Sequence, residues 1–405
     1  LILLNASYGL AFAGLLLLGG RLADRFGGRC ILVMGLIVFA AASLAVGLAS
    51  GYSTLLTTRF AQGVGAAMVA PAAVAVLRTL YPSPAEYGRA MANWGGLSVL
   101  GATAGNLLSG VICALASWRW SLAIPFAVAV VALALGPRLL PAPSIRSDST
   151  APTLDLAGAA LGTVGITLAS YGLVLTEAHR WFSADVMPPL LAGSALLGTF
   201  LLVERRVRDP LLPPLYLLHP SRGLAVIAIG LTAAGTATTF VLFSLHLQQV
   251  RGYSPWETSF AFIPFAVSLL AASRKAGPLI DRFTAHAVTA AGLGVAGAGL
   301  FLLSLTGFQV GIQYQWGMLP GLVVLPIGAA ASFAGASVLA VEDVSPDQAG
   351  LAGGVMNTAM ELGPTIVLAA LLTIGNDAGS LALAGIALSL SALLVATRRP
   401  QRRTH

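Results

Sequence analysis

Apolar residues run along this chain in blocks of roughly twenty, and the polar positions gather into short gaps between them. A block of that length is what a helix needs to cross hydrocarbon. Thirteen spans are predicted, at about 1–18, 30–50, 54–78, 90–114, 119–137, 154–176, 187–203, 223–246, 255–272, 286–306, 316–340, 348–375 and 379–397. The pattern therefore predicts an all-α membrane protein crossing the bilayer many times.

The gaps are as informative as the blocks. Gly19 to Arg29 reads GGRLADRFGGR, a polar stretch short enough to predict a tight hairpin loop between two spans. Its glycines let the backbone turn and neighbouring helices come close. Asp24 lies among Arg21, Arg25 and Arg29, which supply partners and a net positive charge. The stretch Gly20-Arg-Leu-Ala-Asp24-Arg25-Phe26 recurs as Gly277-Pro-Leu-Ile-Asp281-Arg282-Phe283, again between two spans. A repeat in the same orientation, related by an axis along the membrane normal, is one of the standard plans of transporters. The plain alternative is a pair of solvated turns that obey the positive-inside bias, with the aspartates as loop caps.

Composition narrows the class. With 57% hydrophobic and 9% charged residues, the chain is far from a soluble domain, in which about a quarter of residues are charged. The net charge of +7 is spread through short loops and not gathered on one face, so no nucleic-acid partner is expected. Cys30 and Cys113 fall inside spans and predict no disulfide framework. There is no HExxH, GxSxG or CxxC pattern, and the sole lysine, Lys275, is followed by Ala276, so no phosphate-binding GxxxxGK[ST] loop exists. No enzyme activity and no cofactor is expected, and an ion gradient is left as the energy source.

Orientation follows from the basic residues. If Gly19 to Arg29 faces the cytoplasm, strict alternation of the thirteen spans puts 18 basic residues inside and only Arg119, Arg180 and Arg251 outside, with Arg59 left within a span. One missed span would scramble that asymmetry. Eight spans separate the two motif copies, and the second copy has two spans before it in its half where the first has one. Symmetry then predicts a further helix ahead of Leu1 and a fourteen-span whole, six plus two plus six. The expected organisation is an N-terminal bundle at 1–140 (helices 2–6 of the whole), a linker at 141–210 carrying two extra spans, and a C-terminal bundle at 211–405.

On these motifs the chain resembles the fourteen-helix drug:proton antiporter branch of the major facilitator superfamily. Gly19 to Arg29 is similar to that family's loop signature after its second helix, and Leu56-Thr-Thr-Arg59-Phe-Ala-Gln62-Gly63-Val-Gly65 to its fourth-helix signature. Ser117-Trp118-Arg119-Trp120 and Leu351-Ala-Gly-Gly-Val-Met-Asn357-Thr resemble further pieces of the branch. The resemblance implies a major facilitator fold of two six-helix bundles plus two extra helices, and export of small, often amphipathic organic compounds in exchange for protons. One signature departs: in the fifth-helix run Gly101-Ala-Thr-Ala-Gly105-Asn106-Leu-Leu-Ser109-Gly110, Asn106 stands where the family carries proline. A small-residue face for close helix packing survives through Gly101, Gly105, Ser109 and Gly110.

Individual residues follow. Arg59 sits inside a span, where a charge costs about 2.5–3.5 kcal/mol and calls for a partner or a wet cavity. Gln62 shares its face, and by resemblance Arg59 governs protonation of a nearby acid. Snorkelling to the outer interface is the simpler reading. Glu361 is the acid nearest the middle of a span, on a stripe with Gly353 and Asn357 at four-residue spacing. It is either a proton carrier or a permanently neutral, hydrogen-bonded acid. Asp155 and Glu257, at span ends, are expected to be helix N-terminal acids. The gate set is Gly20, Asp24, Arg25, Arg29, Gly277, Asp281 and Arg282. Asn5, Tyr8, Asn93, Trp94, Gln248, Gln249 and Asn357 are candidates to line a substrate cavity.

The sequence thus predicts a proton-coupled exporter of small lipophilic compounds such as drugs or antibiotics in the bacterial cytoplasmic membrane, a monomer with no metal. A facilitator or importer of a small metabolite, and a non-transporting membrane sensor or scaffold, are the alternatives.

Overall fold

A computed structural model describes residues 2–49, 51–115, 123–140, 155–176, 179–207, 210–342, 344–345, 348–372 and 377–397. Among them lie thirteen long helices, one for each predicted span. They are α1 (Ile2–Phe26), α2 (Gly28–Gly47), α3 (Tyr52–Leu80), α4 (Pro84–Leu115), α5 (Ala123–Leu139), α6 (Leu156–Leu175), α7 (Met187–Glu204), α9 (Pro220–Leu245), α11 (Ile263–Phe283), α12 (Ala285–Leu302), α14 (Leu319–Ala340), α15 (Ala349–Leu372) and α16 (Asp377–Thr397). Three short helices, α8 (Pro214–Leu218), α10 (Pro255–Ala261) and α13 (Tyr314–Gly317), complete the set. Among the described residues, ten helical segments are long and apolar enough to cross a membrane.

The loop expected at Gly19 to Arg29 is a helix for most of its length. α1 continues through Gly20, Arg21, Asp24 and Arg25 to Phe26, and the chain turns at Gly27 alone, with φ 89° and ψ 134°. The second copy does the same. α11 runs on to Phe283, and Thr284 turns the chain with φ 85° and ψ 152°. Polar residues mark where hydrocarbon ends, but Leu, Ala, Arg and Asp all tolerate helix, so the hydrogen-bonded ladder simply continues into the aqueous layer. Positive φ is free for Gly27 and strained for Thr284, whose hydroxyl accepts from the Ala287 N–H and so caps α12.

Contacts divide the chain into two compact units. The first comprises 1–80, 111–218 and 343–358, and the second 81–110, 219–342 and 359–405. In the first unit α1 and α2 both pack on α3, α5 on α2, and the extra pair α6 and α7 on each other, with α6 also against α1. Ala23, Ile31, Ala72, Ala75 and Ala349 form a cluster beneath the first motif copy. In the second unit α12 packs on α14 and α16, and α11 and α9 on α14. Ala92, Ala276, Ile280, Val288 and Ala334 form the matching cluster beneath the second copy. Each cluster takes its residues from the motif helix, the two helices that pack with it, and one helix distant in sequence: α15 in the first unit, α4 in the second. The sequence repeat is therefore a repeat of packing. Small side chains at these crossings let helix backbones approach closely, the usual basis of helix association in lipid.

Candidate functional site

The first motif copy is built around a helix crossing. Gly20 faces the backbone of α15 so closely that an added Cβ would strike the Gly350 carbonyl. That approach brings the start of α15 over Asp24, which is 3% exposed. Asp24 Oδ1 accepts from the Gly350 N–H at 2.6 Å and Oδ2 from the Leu351 N–H at 2.8 Å. A carboxylate on two N-terminal amides satisfies orphan donors and meets the positive end of the helix dipole. Arg21 is buried beside it and donates from Nε to the Leu211 carbonyl at 3.2 Å. Arg25 lies over the Phe26 ring, 5.4 Å from its centroid. Arg29 is half-buried at the start of α2.

The second copy repeats the crossing but not the capping. A Cβ on Gly277 would meet Arg89 Nε at 2.7 Å and the Ala85 carbonyl at 3.0 Å, so α11 lies tight against the start of α4. That helix start is already capped from within: Ser83 Oγ accepts from the Glu86 N–H at 3.3 Å and donates to the Glu86 carboxylate at 2.8 Å. Asp281 is left exposed, and Arg282 stacks over Phe283 at 5.1 Å. The two aspartates, equivalent in sequence, are unequal in structure because only one meets an uncapped helix.

The fourth-helix signature forms a hydrogen-bonded chain. Arg59, half-buried on α3, donates to Gln62 Oε1 at 3.2 Å. Gln62, buried at 2% exposure, donates from Nε2 to Ser43 Oγ on α2 at 2.8 Å, and the Ser43 hydroxyl in turn donates a hydrogen bond to the Phe39 carbonyl at 2.7 Å. Among the described residues no acid pairs with Arg59. The amide thus holds the guanidinium in place, and Ser43, which the sequence pattern did not single out, holds the amide.

On α15, Asn357 is buried and donates to the Gly353 carbonyl at 2.8 Å. Glu361 lies one turn further on, half-buried, with Thr365 bonded to its backbone carbonyl and Pro364 three residues beyond. Among the described residues its carboxyl has no hydrogen-bonding partner. Asp155 and Glu257 are helix N-terminal acids: Asp155 caps α6 through the Gly158 N–H, and Glu257 closes a capping box with Ser254.

Tyr8 stacks on Phe12 at 5.9 Å, Asn93 accepts from Ser273 Oγ at 3.3 Å, Trp94 is half-buried, and Gln248 and Gln249 are exposed on a π-helical turn after α9. Among the described residues, nothing approaches a Cβ on Gly101 or Gly105 within 4 Å. The side chains of Asn5, Asn106 and Ser109 and the surroundings of Gly110 lie outside the described residues, as do Trp118, Arg119 and Trp120.

Residues 1–368 match the family model of the Major Facilitator Superfamily. The chain is 37% identical over 92% of its length to the puromycin resistance protein of Streptomyces alboniger, covering 73% of that protein. It is 35% identical over 92% of its length to the cephamycin export protein of Amycolatopsis lactamdurans, covering 77% of it. Among solved structures, the human organic anion transporter MFSD10 superposes with a TM-score of 0.68 over 97% of this chain and 83% of that one, at 15% identity.

Proposed function

This chain belongs to the Major Facilitator Superfamily, and from that premise we propose that it exports antibiotics or similar small lipophilic compounds across the bacterial cytoplasmic membrane in exchange for protons. The observation that carries the reading is the likeness, over nine-tenths of the chain, to proteins named for puromycin resistance and cephamycin export.

The residues support a division of labour. The Asp24 clasp on α15 braces the cytoplasmic ends of the first unit's helices, and its rupture frees the start of α15. The chain Arg59–Gln62–Ser43 fixes a positive charge inside the membrane, and Glu361 carries the proton. The energetics suffice with one such site: a proton falling through 100 mV releases about 2.3 kcal/mol. A tenfold concentration ratio of a neutral substrate costs about 1.4 kcal/mol. The protein works as a monomer in the lipid bilayer.

The test is transport by the full-length protein in proteoliposomes, with puromycin as substrate and a fluorescent dye reporting internal pH. Export predicts proton movement opposite to puromycin and accumulation that collapses with a protonophore. Puromycin flux without proton movement would reduce the protein to a facilitator, and no flux of any lipophilic compound would reject transport of this class.

A further inference from the structure

The two extra helices meet the rest of the first unit at a pair of acids that the transport reading does not use. Glu204, the last residue of α7, is 1% exposed. One of its oxygens, Oε2, accepts from the Leu212 N–H at 2.9 Å. Asp155, at the cap of α6, likewise uses one oxygen, accepting from the Gly158 N–H at 2.8 Å. The other oxygen of each, Glu204 Oε1 and Asp155 Oδ2, is fully buried and has no donor. Both converge on Gly158, where an added Cβ would strike the two together. Gly158 is thus the gap across which the two carboxyls face each other.

Two carboxylates cannot hydrogen-bond, since each offers only lone pairs. Two buried acceptors at such range are mutually satisfied when one carries a proton, and they repel when neither does. The charges that face Glu204 are Asp155 from α6 and Arg21 from α1. Arg21, which also lies beside the Asp24 carboxylate, cannot balance both anions of the pair, and one added proton relieves their repulsion. That proton is shared between Glu204 Oε1 and Asp155 Oδ2, the two buried oxygens without another donor.

We propose that Asp155 and Glu204 form a proton-binding site, separate from any transport proton, that pins the cytoplasmic end of the extra helix pair to the gate helix. The link is short. Glu204 holds the Leu212 amide, and Arg21, one residue from Gly20, holds the neighbouring Leu211 carbonyl. Release of the proton to the cytoplasm sets two anions against each other, loosens the 211–212 segment and removes a support of Arg21. The site thus reports cytoplasmic pH to the Asp24 clasp, which is firm when the pair is protonated and looser as pH rises.

The test uses full-length protein in lipid nanodiscs, with infrared spectra and melting temperature recorded across a pH series. The protonated-carboxyl C=O band of the wild type should lose one component in Glu204→Gln and in Asp155→Asn. The same component should persist in Glu361→Gln, which separates it from the transport acid. An amide in either position donates to the remaining carboxylate permanently, so both variants should keep their melting temperature as pH rises while the wild type loses several degrees. A component that survives Glu204→Gln, or a melting profile of Glu204→Gln that falls with pH as the wild type's does, would overturn the assignment.

Discussion

Replacing Asp24 by alanine should unlatch the start of α15. The carboxylate receives two short amide hydrogen bonds in a site that water does not reach. Hydrogen bonds to a charged group contribute about 1.5–3 kcal/mol each, and leaving buried donors bare costs a similar amount. Since the two bonds share one carboxylate they are not additive, and about 3 kcal/mol is a fair working value for the pair. That shifts the closed-to-open equilibrium of the helix start roughly 100-fold. Asparagine keeps one carbonyl acceptor but turns an N–H₂ toward the Leu351 amide, so Asp24→Asn should lose about half, roughly a tenfold shift. Ala349, buried at 5% exposure in the cluster beneath Asp24, is the reporter. With Cys30 and Cys113 replaced by serine and Ala349 by cysteine, a membrane-impermeant maleimide is added to inside-out vesicles. Labelling should quicken in the order wild type, Asp24→Asn, Asp24→Ala, by factors near those above when opening is fast compared with labelling. Equal labelling rates in all three, with the protein still folded, would refute the clasp.

Gly20→Ala drives a methyl group into the Gly350 carbonyl and should disable transport with a loss of about 1–3 kcal/mol in stability, checked by uptake and thermal melting. Gln62→Leu removes both the acceptor of Arg59 and the donor to Ser43. Proton-driven accumulation should fall at least tenfold, on the scale of about 1.5–3 kcal/mol for a charged hydrogen bond, while downhill flux continues. Glu361→Gln should abolish uphill accumulation and its dependence on pH but spare puromycin counterflow; retained uphill transport would remove Glu361 from the coupling path. Thr284→Gly should raise the melting temperature, because relief of about 1–3 kcal/mol of backbone strain exceeds the few tenths lost with the cap.

Much of the architecture was legible in the sequence because hydrocarbon imposes a simple code. Each apolar block had room for one membrane-crossing helix, and among the described residues a long helix stands at each of the thirteen, ten segments being long and apolar enough to cross. The helix ends at the two motif copies were misplaced, since hydropathy records where lipid stops and says nothing of where the hydrogen-bond ladder stops. Arg59 with Gln62 was readable, as residues three apart share a helix face. Ser43 was not, because the partner comes from another helix with no polarity pattern of its own. The amides that hold Asp24 are 326 and 327 residues away, and nothing local to either segment announces the contact. The same limit hid the difference between Asp24 and Asp281, which depends on whether the opposing helix brings its own cap. Glu204 lies one residue past the predicted span at 187–203 with no local signal of its own, and only folding shows it shut away beside a second acid.

The turns at Gly27 and Thr284 share one torsional signature although one residue has no side chain and the other is β-branched. The angle sets how the following helix departs, so it is common to both corners while the side chain is not. Distant cousins of this corner are therefore better sought by dihedral than by letter, and a glycine missing from an alignment there is poor evidence that the corner is gone.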